Sequence, residues 1–108
     1  MDGDLMVQKV PELSPSDIPI SLRVELHETV SSRKATYRYW VAIDGRYVFD
    51  GELMTIHGTP TSHTAMIALA YRLIAWGEGA ADEGDFTAEQ LAFCEANVKR
   101  IRTWVHSL

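Results

Sequence analysis

Two β-rich runs meet at Asp44-Gly45, and this junction constrains the fold more than any other part of the chain. Asp-Gly between such runs is typical of a β-hairpin, because glycine adopts positive φ at little cost. A two-residue loop places Tyr39 opposite Asp50, whereas a three-residue loop with Gly45 as a bulge places Tyr39 opposite Phe49. A slip of one residue would mix aromatic side chains with carboxylates on one face. We therefore predict the three-residue loop.

This register gives the hairpin, residues 36–43 and 46–53, two different faces. One face faces the core and gathers apolar side chains: Tyr37, Tyr39, Val41, Ile43, Tyr47, Phe49 and Leu53. The other face carries charged residues, with Trp40 opposite Val48. On that face Arg38 lies opposite Asp50.

A third strand is predicted upstream, because residues 20–30 alternate apolar and polar side chains. The four-residue loop 31–34 then pairs Leu26 with Tyr39 and Val24 with Val41. The result is a three-stranded antiparallel meander with one apolar face.

A second turn signal, Asp50-Gly51, lies inside the last of these strands. We interpret it as a bulge in one bent strand that continues to about Ile56. The alternative is a tight turn that makes residues 52–56 a fourth strand.

Two helices follow the strands. Thr59 and Pro60 suit a helix start, and the apolar stripe runs to Trp76, with Gly77 or Gly79 ending the helix. A capping box, Thr87 to Gln90, begins the second helix, with Phe86 and Leu91 in the staple positions. Its apolar stripe is Leu91, Cys94, Val98, Ile101, Val105 and Leu108.

The element order predicts an α+β fold, with a three-stranded antiparallel meander, or a four-stranded one, and both helices packed on one sheet face. Residues 20–108 form a single domain. Residues 1–19 contain Pro11, Pro15 and Pro19 and are interpreted as an irregular arm. Within that arm, Leu5–Val10 is an alternative edge strand.

Composition excludes several classes of function. The net charge of −5 opposes non-specific nucleic-acid binding, which requires phosphate neutralisation. No apolar stretch is long enough to span a membrane. The single cysteine, Cys94, rules out an intrachain disulfide, so a reducing, cytoplasmic setting is expected.

Two groups of residues remain as candidate interface positions. Trp40, Val48 and Arg38 lie on the charged sheet face, and Phe93 and Trp104 lie off the apolar stripe of the last helix. Tryptophan and arginine are enriched at interface hot spots, although a solvated face with cross-strand charge pairs is the alternative. We therefore expect a small non-catalytic binding or protein-interaction module that forms a homodimer.

The alternative function is a small-molecule-binding protein or an enzyme, with a site formed by His57, His63 and Tyr71 near the turn before the first helix. Such a site requires the imidazoles to converge on a carboxylate or a cavity. Six residues across a turn is not the close helical spacing of a strong zinc motif. We predict no metal, no cofactor and no catalytic residue.

Overall fold

The computed structural model describes residues 18–107. Most of the predicted arm, including Leu5–Val10, lies outside the described residues. The three strands pair antiparallel in the order β1-β2-β3, and two helices follow, so the predicted α+β fold is confirmed. The elements are β1 (Ile20–Ser31), β2 (Lys34–Ile43), β3 (Arg46–His57), α1 (Ser62–Ala75), a π-helical turn (Trp76–Ala80), a 3-10 turn (Glu83–Asp85) and α2 (Ala88–His106).

The β2–β3 hairpin has a two-residue loop. Asp44 and Gly45 have φ of 52° and 77°, and Ile43 pairs with Arg46. The predicted three-residue loop is therefore wrong. Aspartate tolerates the left-handed region, and a turn with two positive φ angles matches the twist of the flanking strands.

A bulge at Val48 shifts the pairing of β3 with β2 by one residue from the register that the tight turn sets. Ala42 lies opposite Tyr47, whereas Val41 lies opposite Phe49, so Val48 has no cross-strand partner. Two consecutive residues of β3, Val48 and Phe49, consequently turn inward and are buried. The core aromatic side chains still lie on one face, but this results from a tight turn followed by a bulge and not from the predicted three-residue loop.

A second bulge lies at Gly51, which has φ of 79°. Trp40 pairs with Asp50 and Tyr39 pairs with Glu52, which leaves Gly51 unpaired. Strand β3 continues through this point, so the predicted bent strand is confirmed and the fourth strand is not formed.

The β1–β2 register agrees with the prediction only near its turn. Ser31 pairs with Lys34, but two irregularities in β1 shift the pairing further along the strand. Val24 consequently lies opposite Tyr39 instead of Val41. Because the total shift is two residues, the predicted faces of β1 are preserved over its first half.

Helix α1 begins two residues later than predicted. Thr61 is its N-cap: the Thr61 hydroxyl accepts from the Thr64 amide at 3.0 Å, and the Thr61 amide donates to the Thr64 hydroxyl at 2.8 Å. This reciprocal pair satisfies two backbone amide groups at the start of the helix. The π-helical turn after α1 contains Gly79, which has φ of 106°.

Helix α2 has the predicted capping box of Thr87 and Gln90. Its buried side is rotated from the predicted stripe, because two polar residues face inward. The Gln90 amide nitrogen donates to the Val48 carbonyl at 3.1 Å, and the Asn97 amide nitrogen donates to the Phe93 carbonyl at 2.8 Å. The buried residues are Gln90, Phe93, Cys94, Asn97, Ile101 and Val105.

Both helices cover the aromatic face of the sheet, as predicted. Tyr37, Tyr39 and Phe49 form one buried cluster with Leu69 and Leu73 of α1. Burial, together with the nearby Glu52 carboxylate, raises the pKa of Tyr39 to about 12. No helix within residues 18–107 is long and apolar enough to cross a bilayer.

Candidate interaction surface

The outer sheet face, opposite the helices, centres on Trp40. Alternation along β2 directs Tyr39 and Val41 inward and therefore Trp40 outward. The Arg23 guanidinium of β1 lies 3.9 Å from the centre of the Trp40 ring. A planar guanidinium stacked on an indole keeps its N–H edge available for a carboxylate.

Arg38, also on the outer face, makes a hydrogen bond to the bulged part of β3. Its guanidinium donates to the Gly51 carbonyl. Its cross-strand neighbours are Glu25 on β1 and Leu53 on β3. The outer face near β1 therefore carries two arginines, Arg23 and Arg38, with Glu25 at a neighbouring register position.

The bulges also change which apolar side chains meet solvent. Tyr47 and Leu53, which the sequence assigns to the core, are 53% and 51% exposed on the outer face. Val48, a predicted interface residue, is buried. Phe93, another one, is also buried because α2 turns that side toward the sheet. Neither Val48 nor Phe93 is part of a free surface.

Trp104 lies at a groove on the opposite side of β1 from Trp40. The groove has a volume of about 280 Å³ and is formed by the start of β1 and the C-terminal half of α2. Ile20, Leu22 and Ile101 line it with Trp104, which is 37% exposed. Three of the predicted interface residues, Trp40, Arg38 and Trp104, therefore lie close to β1.

The two edges of the sheet differ. On β3, the Val48 carbonyl accepts from Gln90 of α2, and the Thr55 carbonyl accepts from Arg72 of α1 at 2.7 Å. On β1, no strand within residues 18–107 pairs with the outer edge. Leu26, on the inner side of β1, is 52% exposed.

We call this region the β1 margin: residues Ile20–Leu26 of β1, with Trp40 on the outer side and Trp104 on the inner side. It combines a strand edge that has no partner among the described residues, a mainly apolar groove and a half-exposed leucine. Edge strands in monomeric proteins are commonly blunted by proline, lysine or bulges. Residues 20–26 contain no proline or lysine, and the irregularities of β1 lie beyond Leu26.

The predicted histidine site is not assembled. His57 ends β3 opposite Lys34, and His63 and Tyr71 lie two turns apart on α1, about 12 Å along its axis. All three side chains are exposed. Among the described residues, no group of three histidine, cysteine or acidic side chains is placed to hold a metal ion.

Sequence reasoning missed the role of Arg23, whose stacking on Trp40 follows from a register that the two irregularities in β1 decide. It also missed the exposure of Tyr47, because the tight turn sets that side chain's face. The signal for the turn was present in Asp44, a residue type that tolerates positive φ.

Comparison with known proteins gives no relative: the chain matches no family model, no curated protein and no solved structure.

Proposed function

We propose that this protein is a small non-catalytic protein-interaction module that functions as a homodimer in a reducing, cytoplasmic setting. The observation that supports it is the β1 margin, where an edge that no strand within residues 18–107 pairs with lies between the partly exposed side chains of Trp40 and Trp104. Unpaired edges are templates for pairing with another chain, and tryptophan and arginine commonly anchor interfaces.

Two further features support self-association. Leu26 points to the helix side of the sheet, yet half of its surface meets solvent. The β1 margin also carries both charge signs, Arg23 beside Glu25, so a second copy can complement it. In an isologous contact the same patch of both copies meets, so the patch must complement itself. A patch that carries both charges can do so by forming opposite-charge pairs.

The test is the oligomeric state of the full chain, measured by light scattering and sedimentation over a wide concentration range. We expect a dimer. Leu26→Ser should weaken it about 30-fold, because each copy loses burial of half a leucine side chain, about 1 kcal/mol, at a symmetric contact.

Leu53→Ser is the matched control, because Leu53 is 51% exposed on the far strand β3. It should leave the dimer unchanged. A chain that stays monomeric at several hundred micromolar contradicts the proposal, as does an equal effect of the two substitutions.

A further inference from the structure

We infer that the second copy pairs with β1 itself, antiparallel about a two-fold axis at Val24, which joins the two sheets into one of six strands. This inference rests on the proposed homodimer and specifies its register. A two-fold axis perpendicular to the sheet pairs a central residue with its own copy and keeps both helix layers on the same side.

Charge selects the register. An axis at Val24 places Arg23 of each copy opposite Glu25 of the other, which gives two opposite-charge pairs on the outer face. An axis at Arg23 or at Glu25 would place like charges directly opposite each other. The Arg23 guanidinium lies over the Trp40 ring on the same outer face, 3.9 Å from the ring centre.

Apolar packing agrees with the same register on the inner side. With the axis at Val24, Leu22 of each copy lies opposite Leu26 of the other. The groove beside Leu22 is about 280 Å³ in volume and mainly apolar: Ile20, Ile101 and Trp104 line it, with Ser21 and Arg100 as its polar residues. The half-exposed Leu26 of the second copy enters this groove, so one register accounts for both the groove and the leucine.

Both β1 and β3 are edge strands within residues 18–107, and the contrast between them favours β1 as the pairing strand. Side chains from both helices already occupy carbonyl groups of β3, at Val48 and Thr55. Within the described residues, the outer edge of β1 has no such cover along Ile20–Leu26. Within this part of the chain, the backbone N–H and C=O groups on the outer edge of β1 are therefore available to pair with a second copy.

A charge-exchange experiment tests the register. Arg23→Glu alone and Glu25→Arg alone each create two like-charge pairs in a dimer, so each variant should dimerise at least about tenfold more weakly than the natural chain. An equimolar mixture should restore the dimer, because the mixed pair has opposite charges at both positions. Each chain is its own folding control, since it carries the same substitution alone and in the mixture.

Disulfide trapping tests the axis directly. Val24→Cys should cross-link two copies on mild oxidation, because the two side chains face each other. Ser21→Cys is the control: in this register its two copies lie six residues apart along the ladder, about 20 Å. Cys94 should not interfere, because it is buried and burial raises the pKa of its thiol to about 11.

The outcomes separate this inference from the proposed function. Cross-linking at Val24 with restored dimerisation in the mixture supports the inference. A dimer that fails both tests overturns the register and leaves the proposed homodimer in place. A monomer whose amides at residues 20–26 resist hydrogen exchange overturns both, because β1 would then be paired within its own chain.

Discussion

Gly77 allows the two helices to approach each other closely, and its replacement by alanine should measure the importance of that approach. A Cβ atom at Gly77 would lie 2.4 Å from the Cys94 carbonyl oxygen and 2.5 Å from a methyl group of Val98. Ordinary contact begins at 3.4 Å, so the backbone segments must separate by about 1 Å. The Cys94 oxygen belongs to the backbone of α2 and cannot turn aside as a flexible side chain would.

We expect Gly77→Ala to lower the free energy of unfolding by about 2 kcal/mol. Overpacking in a close-packed interior costs about 1–3 kcal/mol, and the clash with the Cys94 backbone favours the upper end, about 3 kcal/mol. The better helix propensity of alanine offsets about 0.5–1 kcal/mol of that cost. For a domain of this size the midpoint of thermal unfolding should fall by about 8 °C. Urea unfolding followed by tryptophan fluorescence gives the free energy, measured at one fixed protein concentration because the proposed dimerisation would shift the apparent stability.

Gly84→Ala is the control for this measurement. A Cβ atom at Gly84 meets nothing within 4 Å, so that substitution should be neutral or slightly stabilising. The reasoning is refuted if Gly77→Ala and Gly84→Ala unfold within about 0.5 kcal/mol of each other, the precision of such comparisons.

Two further predictions concern buried polar groups. Stability should fall between about pH 10 and pH 12, because the folded state keeps the Tyr39 proton until about pH 12 and the unfolded state releases it near 10.0. In urea unfolding at several pH values across this range, Tyr39→Phe should reduce the fall of the unfolding free energy with pH. An unchanged dependence on pH would contradict the attribution of this fall to Tyr39. Gln90→Ala should cost about 1–3 kcal/mol by removing the donor to the Val48 carbonyl, whereas Glu89→Gln, at an exposed ion pair, should cost less than about 1 kcal/mol. Equal unfolding free energies for these two variants would rule out a structural role for the Gln90 amide.

Local signals predicted the elements more reliably than the pairing between strands. The capping box at Thr87 and Gln90 depends on residues three apart, and the structure confirms it. The register of β2 against β3 depends on the loop and on two insertions, at Val48 and Gly51. An insertion changes the face of every residue on one side of it, and burial alone did not distinguish one long loop from a tight turn followed by a bulge.

The same limit affected the candidate surface. Trp40 remains on the outer face because β2 contains no inserted residue and keeps its alternation, whereas Val48 and Tyr47 exchange faces at the bulge in β3. Phe93 lies next to the predicted stripe of α2, and a modest rotation of the helix buries it. That rotation brings Gln90 inward as well, since its amide finds a partner on β3 that no local sequence pattern reveals.

The protection of β3 by Gln90 and Arg72 has a consequence for the size of any assembly. A subunit whose sheet has two edges available for pairing can bind another subunit at each edge, so the assembly would grow into a fibre. A subunit with only one edge available for pairing can bind one neighbour through that edge, so an assembly formed in this way stops at two copies. For the proposed homodimer, we therefore expect removal of the Gln90 amide or the Arg72 guanidinium to favour polymerisation through β3 as well as to reduce stability.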